Sequence, residues 1–121
     1  MDGRLFDLVT GISEHLDHNW TVTEMSAKVG LSLSQFRAVF TTLTLFTPGA
    51  YVKETRLLRA KHLLESTYDQ IGQIGVGIGI LDPSHLTRDF KARYGVTPTE
   101  YRRQYQEKRQ TEILKGHKSA I

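Results

Sequence analysis

The chain has 121 residues and a mass of 13.8 kDa, the size of one ordinary domain or of two very small units that share a core. Hydrophobic residues make up 39% of it and charged residues 24%, which is typical of a folded globular protein rather than a disordered one. The absence of cysteine excludes disulfides and thiolate metal sites, and no apolar run approaches the ~20 residues that span a bilayer.

The positive charge is concentrated towards the C-terminus. Residues 1–30 carry two basic and five acidic side chains, residues 31–90 carry six and five, and residues 91–121 carry eight and three. A polyanion such as nucleic acid is therefore one candidate partner for the C-terminal part. A solvated helix end or a basic tail explains the same charge equally well.

The first third of the chain predicts three helices. A capping box from Thr21 to Glu24 opens the second of them, which Gly30 ends in a left-handed conformation. A further capping box from Ser32 to Gln35 opens the third. The apolar stripe of the first helix consists of Leu5, Leu8, Val9, Ile12 and Leu16, and that of the third consists of Phe36, Val39, Phe40 and Leu43.

The remainder predicts four more helices. Thr47 caps the longest periodic segment, which runs to about Ser66 and measures ~30 Å as a helix. Asp82 and Thr97 cap the sixth and seventh helices. The fifth helix carries Ile71, Ile74 and Ile78, and the sixth carries Leu86, Phe90 and Tyr94. Because few segments alternate apolar and polar residues, the predicted fold class is all-α, with seven helices.

The sequence repeats itself at an interval of about 50 residues. Each copy contains a short helix, a glycine turn, a capped second helix and a Thr-Pro start to a third, which is the helix-turn-helix signature. We therefore predict two helix-turn-helix subdomains, residues 1–46 and 67–106, joined by a long linker helix at 47–66. Residues 107–121 are predicted to form a polar tail that frays. The repeated residues are Val22, Met25, Val29 and Gly30, which recur 49 positions later, and Ser34, Phe36, Phe40, Thr47 and Pro48, whose counterparts come 50 positions later.

The second copy carries a dense motif. It reads IGQI from residue 71, GILDPSHLTRDFK from residue 79 and TPTEYR from residue 97. These residues resemble the double helix-turn-helix DNA-binding domain of the AraC/XylS family of bacterial transcription regulators, and the resemblance extends over about residues 4–106. The segment RLLRAKHLL, from residue 56, is similar to the linker helix of that family.

Several positions depart from the family pattern. They keep the core apolar, so the predicted fold is unaffected, but they weaken the case for base contacts by the first unit. Gly75 and Ser26 stand where the family has Ala, Ile80 and Leu86 where it has Phe, Ala38 where Arg is usual, and Leu45 where Gly is usual.

The resemblance implies that the third and sixth helices contact DNA. An α-helix fits the major groove, and polar side chains on its outer face read base edges. Arg37 and Arg88 are the first choices for guanine, since a guanidinium can bond O6 and N7 together. The candidate base-reading residues are Ser34, Arg37, Ser84, His85, Thr87 and Arg88. The candidate phosphate contacts, through charge or helix-start amides, are Thr41, Thr47, Lys91, Thr97 and Arg102.

The predicted function is therefore sequence-specific recognition of double-stranded promoter or operator DNA. One chain would read two boxes about ten base pairs apart, in the bacterial cytoplasm at the nucleoid. The alternative is a protein-interaction module that contacts RNA polymerase and binds DNA weakly and without specificity. Ala38 and Thr41, in place of basic residues, motivate this alternative.

Other classes of function are poorly matched. The run Gly72, Gly75, Gly77 and Gly79 lacks the preceding strand and the Lys-Ser/Thr of a phosphate-binding loop. His15 and His18 have no third ligand nearby in sequence, and no nucleophile–base arrangement is identifiable. We predict no enzyme activity, cofactor, metal site, membrane association or small-molecule ligand for this segment. The length fits a stand-alone short regulator or a piece of a longer one.

Overall fold

The computed structural model describes residues 3–119, and the side chains of residues 3–116. Within this range the all-α prediction is confirmed, with seven helices and no strand. No helix of the described range combines the length and the apolar composition that a membrane crossing requires. The helices are α1 (Arg4–Glu14), α2 (Val22–Lys28), α3 (Leu33–Thr44), α4 (Pro48–Ser66), α5 (Ile71–Ile78), α6 (Pro83–Tyr94) and α7 (Pro98–Ser119).

Side-chain caps start the helices where the sequence predicts them. At α3, Ser32 accepts the amide of Gln35 while the Gln35 side chain accepts the amide of Ser32, a complete capping box. At α2, Thr21 accepts the amide of Glu24, but the Glu24 carboxylate is turned towards His18 Nε2, 2.6 Å away. The box predicted for α2 is therefore only half formed.

Two hydrophobic clusters hold the helices together, and they have no residue in common. The linker helix α4 takes part in both, since Val52 near its start packs in the first cluster and Leu57 further along packs in the second. The first cluster consists of Leu5, Leu8, Ile12, Leu16, Met25, Val29, Phe36, Phe40 and Val52. The second consists of Leu57, Ala60, Leu64, Ile74, Ile78, Ile80, Leu86 and Phe90.

The structure corrects two predictions about helix ends. Leu43, predicted to face the core, is 56% exposed, because α3 ends one residue later and its last turn extends past the cluster. Its counterpart in the second copy, Arg93, is likewise exposed. The predicted frayed tail is helical instead: α7 continues to Ser119, with every described side chain from Gln106 to Gly116 exposed. Good helix formers such as Gln, Glu, Lys and Arg favour this extension.

Leu45 ends α3 in a left-handed conformation, with φ +67°. The counterpart position after α6 is Gly95, with φ +83°. A residue with a Cβ adopts this conformation at a cost of roughly 1–2 kcal/mol. Leu45 is also 84% exposed, so it gains little from packing. The departure at this position therefore affects the stability of the turn rather than the core.

Gly75 lies within α5 and contacts the turn that follows this helix. The amide of Ile80 donates to the Gly75 carbonyl at 2.8 Å. A Cβ on Gly75 would lie 2.4 Å from the carbonyl oxygen of Ile80. This distance is too short for a van der Waals contact, so the backbone of the turn would have to move. This close approach accounts for glycine where the family has alanine.

We expect Gly75→Ala to lower the free energy of unfolding by about 1–3 kcal/mol, because the turn must shift. Gly77→Ala, two residues along the same helix, is the matched control. A Cβ on Gly77 meets nothing within 4 Å, so its better helix propensity should raise the free energy of unfolding by about 0.5–1 kcal/mol. Urea denaturation followed by circular dichroism measures both. A Gly75→Ala variant as stable as the wild type would contradict this explanation.

Candidate nucleic-acid interface

The α3 helix presents a polar face opposite its buried aromatic side chains. Phe36 and Phe40 are fully buried, which fixes the rotation of the helix about its axis. The predicted contacts Ser34, Arg37 and Thr41 are all exposed. Within residues 3–119 the Arg37 side chain makes no hydrogen bond or ion pair. Its guanidinium is therefore available to an external acceptor.

The α6 helix has the same design with more positive charge. Asp82 caps it by accepting the amide of Ser84 at 2.9 Å, and Pro83 occupies its first turn. Its inner side chains Leu86 and Phe90 are buried. On its outer face the predicted contacts Ser84, His85, Arg88 and Lys91 are exposed and Thr87 is half-buried.

A shallow groove of about 630 Å³ runs along this outer face of α6. The start of α5, at Ile71, forms part of its wall. The Arg88 side chain, like that of Lys91, has no protein partner in the described part of the chain. The groove therefore joins four of the predicted contacts into one continuous surface with two unpaired cations. Its α6 lining consists of Pro83, Ser84, Thr87, Arg88, Lys91 and Ala92.

His85 has a partner that the sequence reasoning missed. Its Nε2 lies 2.8 Å from a carboxylate oxygen of Asp89, one turn along α6. Asp89 is largely buried, and its other carboxylate oxygen is 3.9 Å from Nζ of Lys53 on α4. The carboxylate thus orients the imidazole ring while the ring stays half-exposed. The i,i+4 spacing of these two residues was visible in the sequence.

The two threonines at helix starts use their hydroxyl groups within the protein. Thr47 accepts the amide of Ala50 at 3.3 Å. Thr97 accepts the amide of Glu100 at 3.2 Å and donates its hydroxyl hydrogen to the Glu100 carboxylate at 2.9 Å. Phosphate contacts at these positions would therefore rely on backbone N–H groups rather than on the threonine side chains.

Arg102, a predicted phosphate contact, uses two of its guanidinium nitrogens within the protein. Its Nε donates to the carbonyl of Leu64 at 3.2 Å and its Nη1 to the carbonyl of Asp69 at 2.6 Å. These bonds tie α7 to the end of α4 and to the loop beyond it. The neighbouring Tyr101 donates its hydroxyl hydrogen to Glu65 on α4, and burial together with this bond raises the pKa of Tyr101. This part of α7 holds the fold together.

Charged and aromatic contacts hold α6 against α4. Arg93 donates to both carboxylate oxygens of Glu54 at 2.9–3.0 Å, and this carboxylate raises the pKa of Arg93. The ammonium group of Lys61 lies 5.1 Å from the ring centre of Tyr94. The outer faces of α3 and α6 also differ in charge. Among the described side chains, Arg88 and Lys91 on α6 have no protein partner, and Arg37 on α3 has none.

The two histidines considered as metal ligands, His15 and His18, lie at and just beyond the end of α1. His18 is bonded to Glu24, and its ring packs edge-on against Trp20 with centroids 4.7 Å apart. Among the described residues, no group of three or more His, Cys, Asp or Glu side chains is placed to hold a metal ion.

Comparison with known proteins decides which family this architecture belongs to. A family model described as a helix-turn-helix domain matches residues 25–104. The regulatory protein SoxS of Escherichia coli is 31% identical over 96 residues, which cover 79% of this chain and 90% of SoxS. An AraC-type regulator structure from Chromobacterium violaceum matches with a TM-score of 0.76 and 27% identity, over 84% of this chain and 91% of that one. The chain belongs to the AraC/XylS family.

Two further similarities agree with this assignment. The regulator MtrA of Neisseria gonorrhoeae is 27% identical over 103 residues, and the match covers 85% of this chain but 34% of MtrA. The DNA-binding domain of the global transcriptional factor AdpA, solved in complex with a target DNA, has a TM-score of 0.84 and 27% identity. That match covers 88% of this chain and 96% of the AdpA domain. The chain is thus a DNA-binding domain of a transcription regulator rather than an enzyme, as predicted.

Proposed function

We propose that this domain recognises promoter or operator DNA by placing α3 and α6 in two neighbouring segments of the major groove. The observation that carries the proposal is the outer face of α6, where Arg88 and Lys91 have no protein partner among residues 3–119 and line a continuous groove. Such cations match the negative charge of DNA. The similarity to the AdpA domain, whose structure contains a target DNA, supports the same proposal.

Each reading helix has a distinct set of base contacts in this proposal. Arg37 on α3 and Arg88 on α6 each bond O6 and N7 of a guanine. His85 contributes through Nδ1, because Asp89 holds its Nε2. The hydroxyl groups of Ser34, Ser84 and Thr87 complete the base-reading set.

The phosphate contacts fix the position of the domain on the duplex. Lys91 contributes charge and Thr41 a hydroxyl group from the outer faces of the two helices. DNA phosphates lie at the starts of α4 and α7, next to Thr47 and Thr97. The free backbone N–H groups of a helix N-terminus favour such negative charge.

The linker helix sets the spacing of the two boxes. With 19 residues, α4 is ~28 Å long, close to the ~34 Å between major-groove segments one turn apart. Residues 1–46 and 67–106 are the two reading units, 47–66 the linker, and 107–121 an extension beyond them. Because the two outer faces carry different residues, the preferred site is asymmetric rather than palindromic. The domain acts in the cytoplasm, at the nucleoid.

Insertion of five base pairs between the two boxes of the preferred site tests this proposal. The insertion turns one box to the opposite face of the duplex, beyond the reach of a single rigid domain. We expect the affinity to fall by at least ~100-fold, since the contacts of one reading helix are lost. The control is the same insertion outside the boxes, measured by fluorescence anisotropy. Undiminished affinity with the central insertion would contradict the two-box proposal.

A second candidate function, contact with RNA polymerase, is favoured by exposed apolar side chains at the end of α3. Leu43, Leu45 and Phe46 lie within four consecutive residues and are all exposed. Apolar side chains grouped on a surface are typical of protein interfaces. In this second reading the first unit contributes little to DNA recognition and the domain binds DNA weakly.

A further inference from the structure

Arg56, near the middle of α4, is bonded to the first unit. Its Nε donates to the carbonyl of Leu16 at 3.0 Å and its Nη2 to the carbonyl of His18 at 2.8 Å. Both carbonyls lie in the loop that follows α1, about 40 positions away in sequence. Burial lowers the pKa of Arg56, and the carboxylate of Asp17 partly offsets this effect. The guanidinium is thus a partly desolvated group that joins α4 to the loop after α1.

The second unit meets the same group of atoms. Gly79, in the turn between α5 and α6, has φ +85°. A Cβ on Gly79 would lie 2.7 Å from the carbonyl oxygen of Leu16 and 2.9 Å from Nη2 of Arg56. The backbone of this turn therefore packs directly on the carbonyl and guanidinium that join α4 to the first unit. We call Leu16, Arg56 and Gly79 the junction.

The junction lies between the two hydrophobic clusters, since Leu16 belongs to the first and Gly79 is flanked by Ile78 and Ile80 of the second. Because these clusters have no residue in common, α4 on its own would let the units rotate relative to each other by bending or twisting. The junction joins the first unit, α4 and the turn that leads into α6 at one point. Arg56 donates to two carbonyl groups through a planar guanidinium, which constrains both the distance and the relative orientation of α4 and the loop after α1.

We propose that the junction fixes the angle between α3 and α6. Arg56 is then the residue that determines how strictly the domain selects the spacing between its two DNA boxes. The inference rests on the proposed two-box function. A rigid pair of reading helices fits one spacing and loses contacts at any other. Without the junction, the units adjust to several spacings, and the affinity for the best spacing falls because their relative motion must be frozen on binding.

Two substitutions break the junction in different ways, and each has a matched control. Arg56→Met retains an unbranched apolar chain in place of the arginine methylene groups but removes the guanidinium donors. Its control is Arg59→Met, on the exposed side of α4. Gly79→Asn places a Cβ against the junction, in a residue that tolerates positive φ. Gly95→Asn is the control, because Gly95 has φ +83° and a Cβ there meets nothing within 4 Å. Circular dichroism verifies that each variant is folded.

The first test requires no DNA. Because the chain has no cysteine, Thr42→Cys on α3 and Val76→Cys on α5 can be spin-labelled and their distance distribution measured by electron paramagnetic resonance. The wild type and both controls are expected to give one narrow distribution. Arg56→Met and Gly79→Asn are expected to broaden or shift it. An unchanged distribution in both junction variants would overturn the proposal.

The second test uses duplexes whose boxes are moved apart or together by one base pair at a time. We expect the wild type to lose ~10-fold in affinity at one base pair from the best spacing, and Arg56→Met to lose less than ~3-fold. A spacing preference as sharp in Arg56→Met as in the wild type would also overturn the inference. A wild type with no two-box preference would instead contradict the proposed function. The spin-label distance measurement tests the junction separately, because it requires no DNA.

Discussion

Arg88→Ala is expected to weaken binding to the preferred DNA site by ~1–3 kcal/mol, which is about 5- to 150-fold in affinity. Arg88 is exposed on the outer face of α6 and has no protein partner within residues 3–119, so its loss does not disturb the fold. A bidentate arginine–guanine contact carries sequence information that no neighbouring hydroxyl replaces. The preference for guanine at one position should therefore disappear together with the affinity. Titration of base-substituted duplexes measures both effects.

Arg103→Ala is the control for charge alone, since Arg103 is exposed on α7 outside the proposed contact faces. It should reduce affinity slightly and equally for all sequences. Lys91→Ala should also act uniformly, by lowering the salt slope by ~1. If Arg88→Ala left the affinity and the base preference unchanged, the proposed base reading by α6 would be contradicted and the protein-interaction alternative would be favoured.

Phe90→Ala is expected to lower the free energy of unfolding by ~3–5 kcal/mol. Phe90 is fully buried in the second cluster, with ring centres 4.7 Å from Tyr94 and 5.7 Å from Tyr101. Its removal leaves a cavity under α6 and also removes two aromatic contacts. Since the proposed contact face of α6 depends on this packing, we expect specific DNA binding to be lost with the fold of the second unit.

Thermal and urea denaturation of Phe90→Ala provide the measurement, and Phe6→Ala provides the control. Phe6 is 74% exposed, so its truncation should change stability by less than ~0.5 kcal/mol. A loss below ~1 kcal/mol for Phe90→Ala would show that the second cluster is not the core that holds α6.

The helices and their inner faces could be predicted because their determinants are local. Ser32 and Gln35 form the capping box that their spacing predicts, and Phe36 and Phe40 are buried as their period requires. Leu43 has the spacing of a core residue but is exposed, because periodicity does not show where a helix extends past the core. The extension of α7 was missed because an exposed polar helix has no apolar stripe.

The tertiary role of the arginines could not be read from the sequence. Arg56 and Arg102 bind backbone carbonyls, and a carbonyl is present at every residue, so no side-chain pattern marks the acceptor. The close approach at Gly75 likewise depends on the path of a distant turn. The pairing of His85 with Asp89, by contrast, is local, because residues four positions apart on a helix lie on the same face.

Selection from a randomised duplex pool at near-physiological salt tests the central claim most directly. We expect enrichment of an asymmetric site with two boxes about one helical turn apart. The box whose enrichment depends on Arg88 should be the stronger one, because α6 has two unpaired cations on its outer face. Binding with no enriched sequence and a steep dependence on salt would contradict the account, since phosphate contacts alone would then explain the affinity.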